Sequence, residues 1–145
     1  IKNKLPEFYV KANNYSRNWV NKIIMEQKIL NKKISVLGVT YKENTLSTKN
    51  AIQIDLLNKY KNKIIMHDLK SDNIANIKDS TKTKNNFKSL KYNLEKSNIV
   101  IIFHNINFYK KIKFYKYKNI KCIIDPFGIA NIKNIKNIKY YKLIK

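Results

Sequence analysis

The sequence has few of the residues that build disulfide frameworks, zinc sites and flexible linkers. Its 145 residues include one cysteine, Cys122, together with two glycines and two prolines. A single cysteine excludes an internal disulfide and any zinc site that uses several cysteines. No apolar run approaches the roughly 18 residues of a membrane span, and no signal-peptide pattern follows Ile1. We therefore expect a cytoplasmic chain that has no membrane partner.

Acidic residues are also scarce, and the formal net charge is +22. Lysine-rich surfaces bind phosphate backbones, and residues 109–121 interleave Tyr and Phe with Lys, as single-strand-binding surfaces do. Arg17 is nevertheless the sole arginine, although arginine makes the bidentate contacts to bases and phosphates. The favoured residues Lys, Asn, Ile, Tyr and Phe share codons rich in A and T, so genome composition explains the charge better. A non-catalytic, basic nucleic-acid-binding module is kept as the alternative interpretation.

Hydrophobic spacing predicts a long N-terminal helix and then alternating strands and helices. The helices are expected at 5–30, 50–60, 87–96 and 108–115, and the strands at 34–41, 64–67, 99–103 and 121–125. Residues 69–86 are predicted to form a loop with one short helix, and a repeat around 131–139 receives no assignment. The alternation predicts an α/β fold, a Rossmann-like parallel sheet with helices on both faces, preceded by the long helix.

Ligands of parallel sheets bind at the carboxyl ends of the strands, and the loop after the first predicted strand is the most informative of these ends. Gly38 lets the backbone turn off the strand. Lys42 and Lys49 bracket a run rich in hydroxyl groups just before a helix N-terminus, where an anion such as a diphosphate is favoured. The three-glycine fingerprint of a dinucleotide site is absent, because Gly38 is the only glycine there.

The stretch 34–45, which contains VLGVTYKENT, resembles the start of the C-terminal domain of the UDP-glucose/GDP-mannose dehydrogenase family. It is most similar to the branch that acts on UDP-N-acetylated hexosamines. The resemblance extends to LPEF at 5–8 and the long helix, to IMHD at 65–68, to the strand and Phe-containing loop at 97–108 and to IIDPFG at 123–128. It covers nearly the whole chain, although each motif is short.

The resemblance implies that residues 1–31 are the tail of a central helical dimerisation domain and that 32–145 form a nucleotide-sugar-binding domain. The family oxidises the C6 alcohol of a nucleotide sugar to a carboxylate with two NAD molecules, as in polysaccharide precursor synthesis. Tyr41 and Lys42 would contact the UDP-sugar. Lys49 stands where the family has an arginine near the cofactor, and it keeps the charge but loses the bidentate fork.

The family's NAD-binding domain and catalytic cysteine precede the part that this chain resembles. Cys122 cannot replace that cysteine, because a thiol inside an apolar strand is protonated and inert, and His104 is predicted to be a strand-end residue and not an acid–base group. We assign no catalytic residue and no metal ligand, and we expect the chain alone to be inactive. NAD would be bound mainly by a missing N-terminal half. A homodimer partner is also possible, since Trp19 suits an interface as well as packing on its own domain. Whether the chain is a fragment, a split-gene product or a decaying remnant stays open.

Overall fold

The structure is a computed structural model that describes residues 5–39, 52–60, 62–69 and 86–143. The chain divides into two compact units, Ile1–Leu30 and Asn31–Lys145. The first contains helix α1 (Leu5–Glu26), which ends four residues before the predicted boundary. Its buried side chains Val20, Ile23 and Ile24 recur three and four residues apart, as expected for one helix face, and the buried Gln27 follows directly after the helix. In the described part of the chain, no helix combines the length and hydropathy needed to cross a bilayer.

The second unit is built on a five-stranded sheet. Its strands are β1 (Ile34–Leu37), β2 (Ile64–His67), β3 (Ile99–Ile102), β4 (Cys122–Asp125) and β5 (Lys139–Lys142). All neighbours pair in parallel, in the order β2-β1-β3-β4-β5. The predicted parallel α/β sheet with helices is therefore confirmed.

The central strands form because short β-branched runs can be buried on both faces of a parallel sheet. Every residue of β1, β3 and β4 is buried. Each large apolar side chain buried in this way contributes on the order of 1.5–3 kcal/mol. One side of the sheet packs into a cluster that also includes residues from the later helices: Leu37, Leu94, Val100, Ile102, Tyr109, Ile112, Phe114, Ile120 and Ile123.

In the described part of this unit the helices are α2 (Ile52–Tyr60), α3 (Leu90–Lys96), α4 (Asn107–Lys110) and a 3-10 turn at Phe114–Lys116. Helix α3 begins three residues later than predicted, because Ser89 caps it by accepting a hydrogen bond from the Tyr92 amide. Phe87 instead forms a parallel bridge with Met66. The predicted loop with a short helix at 69–86 lies almost wholly outside the described residues.

The single helix predicted at 108–115 is two separate turns. The amides of Lys111 and Ile112 donate to the carbonyls of Asn107 and Tyr109, which closes α4. The chain then turns before Phe114, so Ile112 and Phe114 both enter the core. Burial of these two side chains therefore outweighs continuation of the helix.

Strand β5 was not predicted. Its central residues Tyr140 and Tyr141 are half-buried and its terminal lysines, Lys139 and Lys142, are exposed. The strand pairs residue for residue with β4, from Cys122 opposite Lys139 to Asp125 opposite Lys142. It is one of the two outer strands of the sheet, and exposed lysines are typical of such strands because they discourage pairing with another chain.

Asn93 connects α3 to the sheet from a fully buried position. Its side-chain amide donates to the carbonyl of Met66 at 3.0 Å and to the carbonyls of Lys88 and Ser89. Its oxygen accepts a hydrogen bond from the Ser35 hydroxyl at 2.8 Å. Asn93 thereby connects the start of α3 to both β1 and β2.

Candidate functional site

Three strands end side by side at the carboxyl ends of the parallel strands, which we call the carboxyl edge of the sheet. The residues that follow these strands form the candidate site. Leu37 lies opposite both His67 and Ile102 in the register, so the loops after β1, β2 and β3 start at the same level. Strand β2 pairs with one side of β1, and the next strand in the chain, β3, pairs with the other side of β1. The order of the strands therefore changes direction at β1. A crevice at such a change of direction is where parallel α/β sheets bind ligands.

Gly38 ends β1 in a conformation that requires glycine. Its φ is +90°, in the region that L side chains rarely adopt. A Cβ at this position would lie 2.3 Å from Cγ of His104, far inside van der Waals contact. The imidazole of His104 therefore packs directly on the Gly38 backbone, and the tight turn predicted at Gly38 is present.

Asp68 braces the start of the loop after β1. Its Oδ2 accepts a hydrogen bond from the Val39 amide at 3.0 Å and lies 4.0 Å from Nδ1 of His104. Asp68 and His104 are both buried. The ends of β1, β2 and β3 are thus joined through Val39, Asp68 and His104, which we call the Asp68 brace. His104 lies just beyond its strand, as the sequence predicted.

Tyr109 reaches from α4 across the end of β1 to β2. Its hydroxyl lies 2.9 Å from Nδ1 of His67 and donates to the His67 carbonyl at 3.3 Å. Burial, with a further contribution from the negative charge of Asp68, raises the pKa of Tyr109 well above its usual range, although a hydrogen bond from the Gly38 amide opposes this. The phenol therefore keeps its proton and acts as a donor.

His67 is held as a neutral imidazole. Burial lowers its pKa from 6.5, and the nearby Asp68 carboxylate only partly offsets this. When the Tyr109 hydroxyl donates to the carbonyl, Nδ1–H of His67 donates to the phenol oxygen, which leaves a lone pair on Nε2. The end of β2 thus presents a neutral ring and not a cation.

Phe108 stacks on His67, with ring centroids 5.9 Å apart and an interplanar angle of 10°. It also meets Tyr109 edge to face at 5.9 Å. Phe108 is 44% exposed, which leaves part of an aromatic surface open to ligands. We call His67, Phe108 and Tyr109 the aromatic ledge; a surface of this kind can pack against a planar base or the apolar face of a sugar.

The end of β4 carries a second buried carboxylate, Asp125. Its Oδ2 accepts hydrogen bonds from the Ala130 amide at 2.8 Å and from the Tyr140 hydroxyl at 2.7 Å, while Oδ1 is buried without a partner. Burial and the bond to Asp125 raise the pKa of Tyr140 above its usual range. Asp125 therefore ties β5 and the preceding loop to β4.

The three predicted site residues, Tyr41, Lys42 and Lys49, lie outside the described residues. The structure places the positions nearest to them in the chain, which are Val39 at the Asp68 brace and Ile52 at the start of α2. Cys122 begins β4, at the opposite end of that strand from Asp125. It is buried, and burial raises its pKa to about 12, in agreement with the inert thiol predicted from the sequence. Within the described ranges, no three His, Cys, Asp or Glu side chains are grouped to hold a metal ion.

Sequence reasoning missed the aromatic ledge and the packing of His104 on Gly38. One signal for the ledge was present, because two adjacent aromatic residues, Phe108 and Tyr109, follow closely after a buried strand. Nothing in the sequence paired them with His67, which lies 42 positions before Tyr109.

No family model matches the chain, and no curated protein is significantly similar to it in sequence. Its fold is similar to parts of solved nucleotide-sugar dehydrogenases. Over 92% of this chain it matches UDP-glucose dehydrogenase from Pyrobaculum islandicum with a TM-score of 0.68 and 16% identity. Over 90% it matches GDP-mannose dehydrogenase from Pseudomonas aeruginosa (TM-score 0.67, 11% identity) and UDP-D-ManNAc dehydrogenase from Pyrococcus horikoshii (TM-score 0.59, 16% identity).

The match covers only part of those proteins. The chain spans 30% of the Pyrobaculum and Pyrococcus enzymes and 32% of the Pseudomonas enzyme. At these identities the similarity shows a shared fold, that of one region of a larger dehydrogenase.

Proposed function

We propose that this chain is the C-terminal, nucleotide-sugar-binding part of an NAD-dependent UDP-sugar 6-dehydrogenase. Such an enzyme oxidises the C6 alcohol of its substrate to a carboxylate and supplies precursors for polysaccharides. In this proposal residues 1–31 belong to a central helical domain and residues 32–145 form the nucleotide-sugar domain. The branch that uses UDP-N-acetylhexosamines is the one that the sequence motifs favour, and the cytoplasm is the compartment in which such a substrate is found.

The observation that carries this proposal is the Asp68 brace at the carboxyl ends of β1, β2 and β3. Asp68 holds the amide of Val39, the last described residue before the segment that contains Lys42 and Lys49. That segment therefore leaves the sheet at the edge where ligands of this fold bind. The likeness of fold over 90% or more of the chain to three nucleotide-sugar dehydrogenases supports the same proposal.

Roles follow for the residues of that segment. Lys42 would hold a phosphate of the substrate and Tyr41 would contact the substrate beside it, while Lys49 would face the cofactor. An ammonium group gains about 1.5–3 kcal/mol from a hydrogen bond with a charged partner. The aromatic ledge offers its exposed face, at Phe108, to the base or the sugar.

NAD does not fit the turn after β1. Dinucleotide sites need a glycine backbone that the pyrophosphate can approach closely. At Gly38 the imidazole of His104 already occupies the space beside the backbone, at the position that a Cβ would take. We therefore place the main NAD site in the part of the enzyme that this chain does not include, either a missing N-terminal half or a partner chain. With Cys122 buried and protonated, the chain alone is expected to be inactive.

Calorimetry of the chain with UDP tests the proposal. Lys42→Ala should weaken UDP binding roughly tenfold or more, since it removes a charge-assisted contact with a phosphate. Lys59→Ala removes the same charge from an exposed position on α2 and should change the affinity less than about twofold. UMP, which lacks the second phosphate, should bind more weakly than UDP.

Equal losses in the Lys42 and Lys59 variants would attribute the binding to diffuse charge and would refute the role of Lys42. Absence of UDP and UDP-sugar binding, both for the chain alone and after addition of an NAD-binding half, would overturn the proposed function.

A further inference from the structure

A second pocket lies at the opposite edge of the sheet from the candidate site. It has a volume of about 260 Å³ and is lined by two segments, one around Phe114–Lys121 and the other at Asn134–Ile138. These segments lead directly into the amino ends of β4 and β5, where Cys122 pairs with Lys139. A four-residue strand spans roughly 13 Å, so this pocket is separated from the Asp68 brace by the length of the sheet.

The lining of the pocket combines cations with aromatic rings. Lys118, Lys121 and Lys136 line it, and none of the described residues that line it is acidic. Tyr115 and Tyr117 also line it, and Tyr115 is 56% exposed although it borders a concave site. Isoleucines, among them Ile135, complete the wall. The pocket therefore offers ring faces and apolar surface beside several ammonium groups.

The positive field extends beyond the lining. Lys139 and Lys32 both lie close enough to Cys122 to lower the pKa of its thiol, against the larger effect of burial. Cys122 starts β4 at the same amino edge of the sheet. Five lysines from four places in the chain thus surround this edge, whereas the carboxyl edge holds the buried carboxylates Asp68 and Asp125.

The turn that forms one wall has a fixed shape. Asn134 and Asn137 adopt left-handed φ angles of +63° and +69°, a conformation that asparagine tolerates better than most residues. The Ile135 amide closes this turn by donating to the Ile132 carbonyl. The two walls are therefore a 3-10 turn and a tight asparagine turn, each held by its own hydrogen bonds.

We propose that this amino-edge pocket binds one nucleotide unit, with its base against the tyrosines and its phosphate on the lysines. The volume is slightly below the range of about 300–1,000 Å³ that is typical of small-molecule sites, which suits a single base and excludes a whole dinucleotide. Stacking on an aromatic ring accepts every base, so the site selects for the nucleotide class and not for one base. The nucleotide is either free or part of a single strand, since both present the same ring and phosphate.

Two probes distinguish a free nucleotide from a single strand. AMP is titrated by calorimetry, and binding of a fluorescein-labelled oligouridylate of ten nucleotides is followed by fluorescence anisotropy. Tyr115→Ala should weaken binding about tenfold through loss of stacking. Tyr15→Ala removes a tyrosine that is 63% exposed on α1 and should leave binding unchanged. Lys118→Ala should weaken binding more than Lys91→Ala, which removes an equal charge from an exposed site on α3.

If Tyr115→Ala lowers the affinity for both AMP and the oligonucleotide, the pocket binds a single nucleotide without the rest of a strand. Sensitivity of the oligonucleotide alone supports a strand-binding site. If neither probe loses more affinity in the Tyr115 and Lys118 variants than in the Tyr15 and Lys91 controls, the proposal is overturned. Lys42→Ala should leave AMP binding unchanged, and Tyr115→Ala should not remove the part of the UDP affinity that depends on Lys42, so this test and that of the proposed function fail independently.

Discussion

Replacement of Gly38 by alanine perturbs the brace at the carboxyl edge more sharply than other small substitutions there. The added methyl group would lie 2.3 Å from Cγ, 2.6 Å from Cδ2 and 2.8 Å from Nδ1 of His104. His104 cannot move aside freely, because it is buried and lies against the equally buried Asp68. The clash must therefore shift the imidazole, the Gly38 backbone, or both.

Two costs add in this variant. A residue with a Cβ in the left-handed region loses roughly 1–2 kcal/mol, and overpacking of a filled site costs about 1–3 kcal/mol more. We expect Gly38→Ala to lower the free energy of unfolding by about 2–5 kcal/mol. Domains have only about 5–15 kcal/mol of stability, so this loss is a large fraction of the total.

Urea unfolding followed by far-UV circular dichroism measures the loss, and Gly128→Ala is the matched control. Gly128 also has a positive φ, +67°, but it is exposed. Alanine there should cost only the backbone part, roughly 1–2 kcal/mol. The difference between the two variants isolates the contact with His104.

A double-mutant cycle completes the test. In a chain that already carries His104→Ala, the overpacking is absent. Gly38→Ala should then lower the free energy of unfolding by about 1–3 kcal/mol less than it does in the original chain. Equal costs at Gly38 and Gly128, together with additive losses in the double variant, would refute the idea that His104 makes glycine necessary at this turn.

Three further predictions concern buried polar groups. Asn93→Ala should destabilise the domain by about 3 kcal/mol or more, measured by urea unfolding, because it removes the contacts with the sheet and leaves the hydroxyl of Ser35 unpaired. Cys122 has a pKa raised to about 12, so near pH 8 a disulfide reagent should react with it only after denaturation; reaction of the folded chain would contradict its burial. Because the pKa of His67 is lowered from 6.5 in the folded chain, the unfolded chain binds the proton more readily and stability should fall as the pH drops below about 6.5. His67→Gln should reduce the difference between unfolding free energies measured at about pH 7.5 and about pH 5.5, and an unchanged difference would assign the effect to other groups.

The sheet could be predicted because its strands are short runs of apolar, largely β-branched residues that end at polar ones. Residues 64–67 were predicted to the residue, and those of β3 and β4 to within one position. The predicted first strand was longer, since its apolar pattern continues through Val39. The positive φ of Gly38 turns the chain out of the sheet after Leu37.

Strand β5 and the short turns after β3 could not be predicted in the same way. The residues of β5, KYYK, have no buried apolar run, and the strand exists because β4 offers it a complete set of pairing partners. Helical spacing at 108–115 gave no sign that burial of Ile112 and Phe114 would interrupt the helix. In both places a tertiary contact determines the local structure.

The location of the candidate site could be predicted from the sequence, but the side chains that meet there could not. The rule that ligands bind at the carboxyl ends of parallel strands located the edge, but the groups now seen there meet only through long-range contacts. Val39 and Asp68 are 29 positions apart, and His67 and Tyr109 are 42 positions apart. Hydrophobic periodicity contains no information about such pairs.

The distribution of charge also revises the meaning of the +22 net charge. At the carboxyl edge Asp68 and Asp125 lie buried at the ends of β2 and β4 and His67 is neutral, while Lys142 is exposed at the end of β5, opposite Asp125. The amide of Val39 donates to Asp68 and the hydroxyl of Tyr140 donates to Asp125, which partly compensates these buried carboxylates. The proposed function assigns the attraction of a diphosphate to Lys42, in the segment after β1. A specific loss of UDP affinity in the Lys42 variant is therefore a requirement of the proposed function, since the proposal assigns the contact with the phosphate to Lys42.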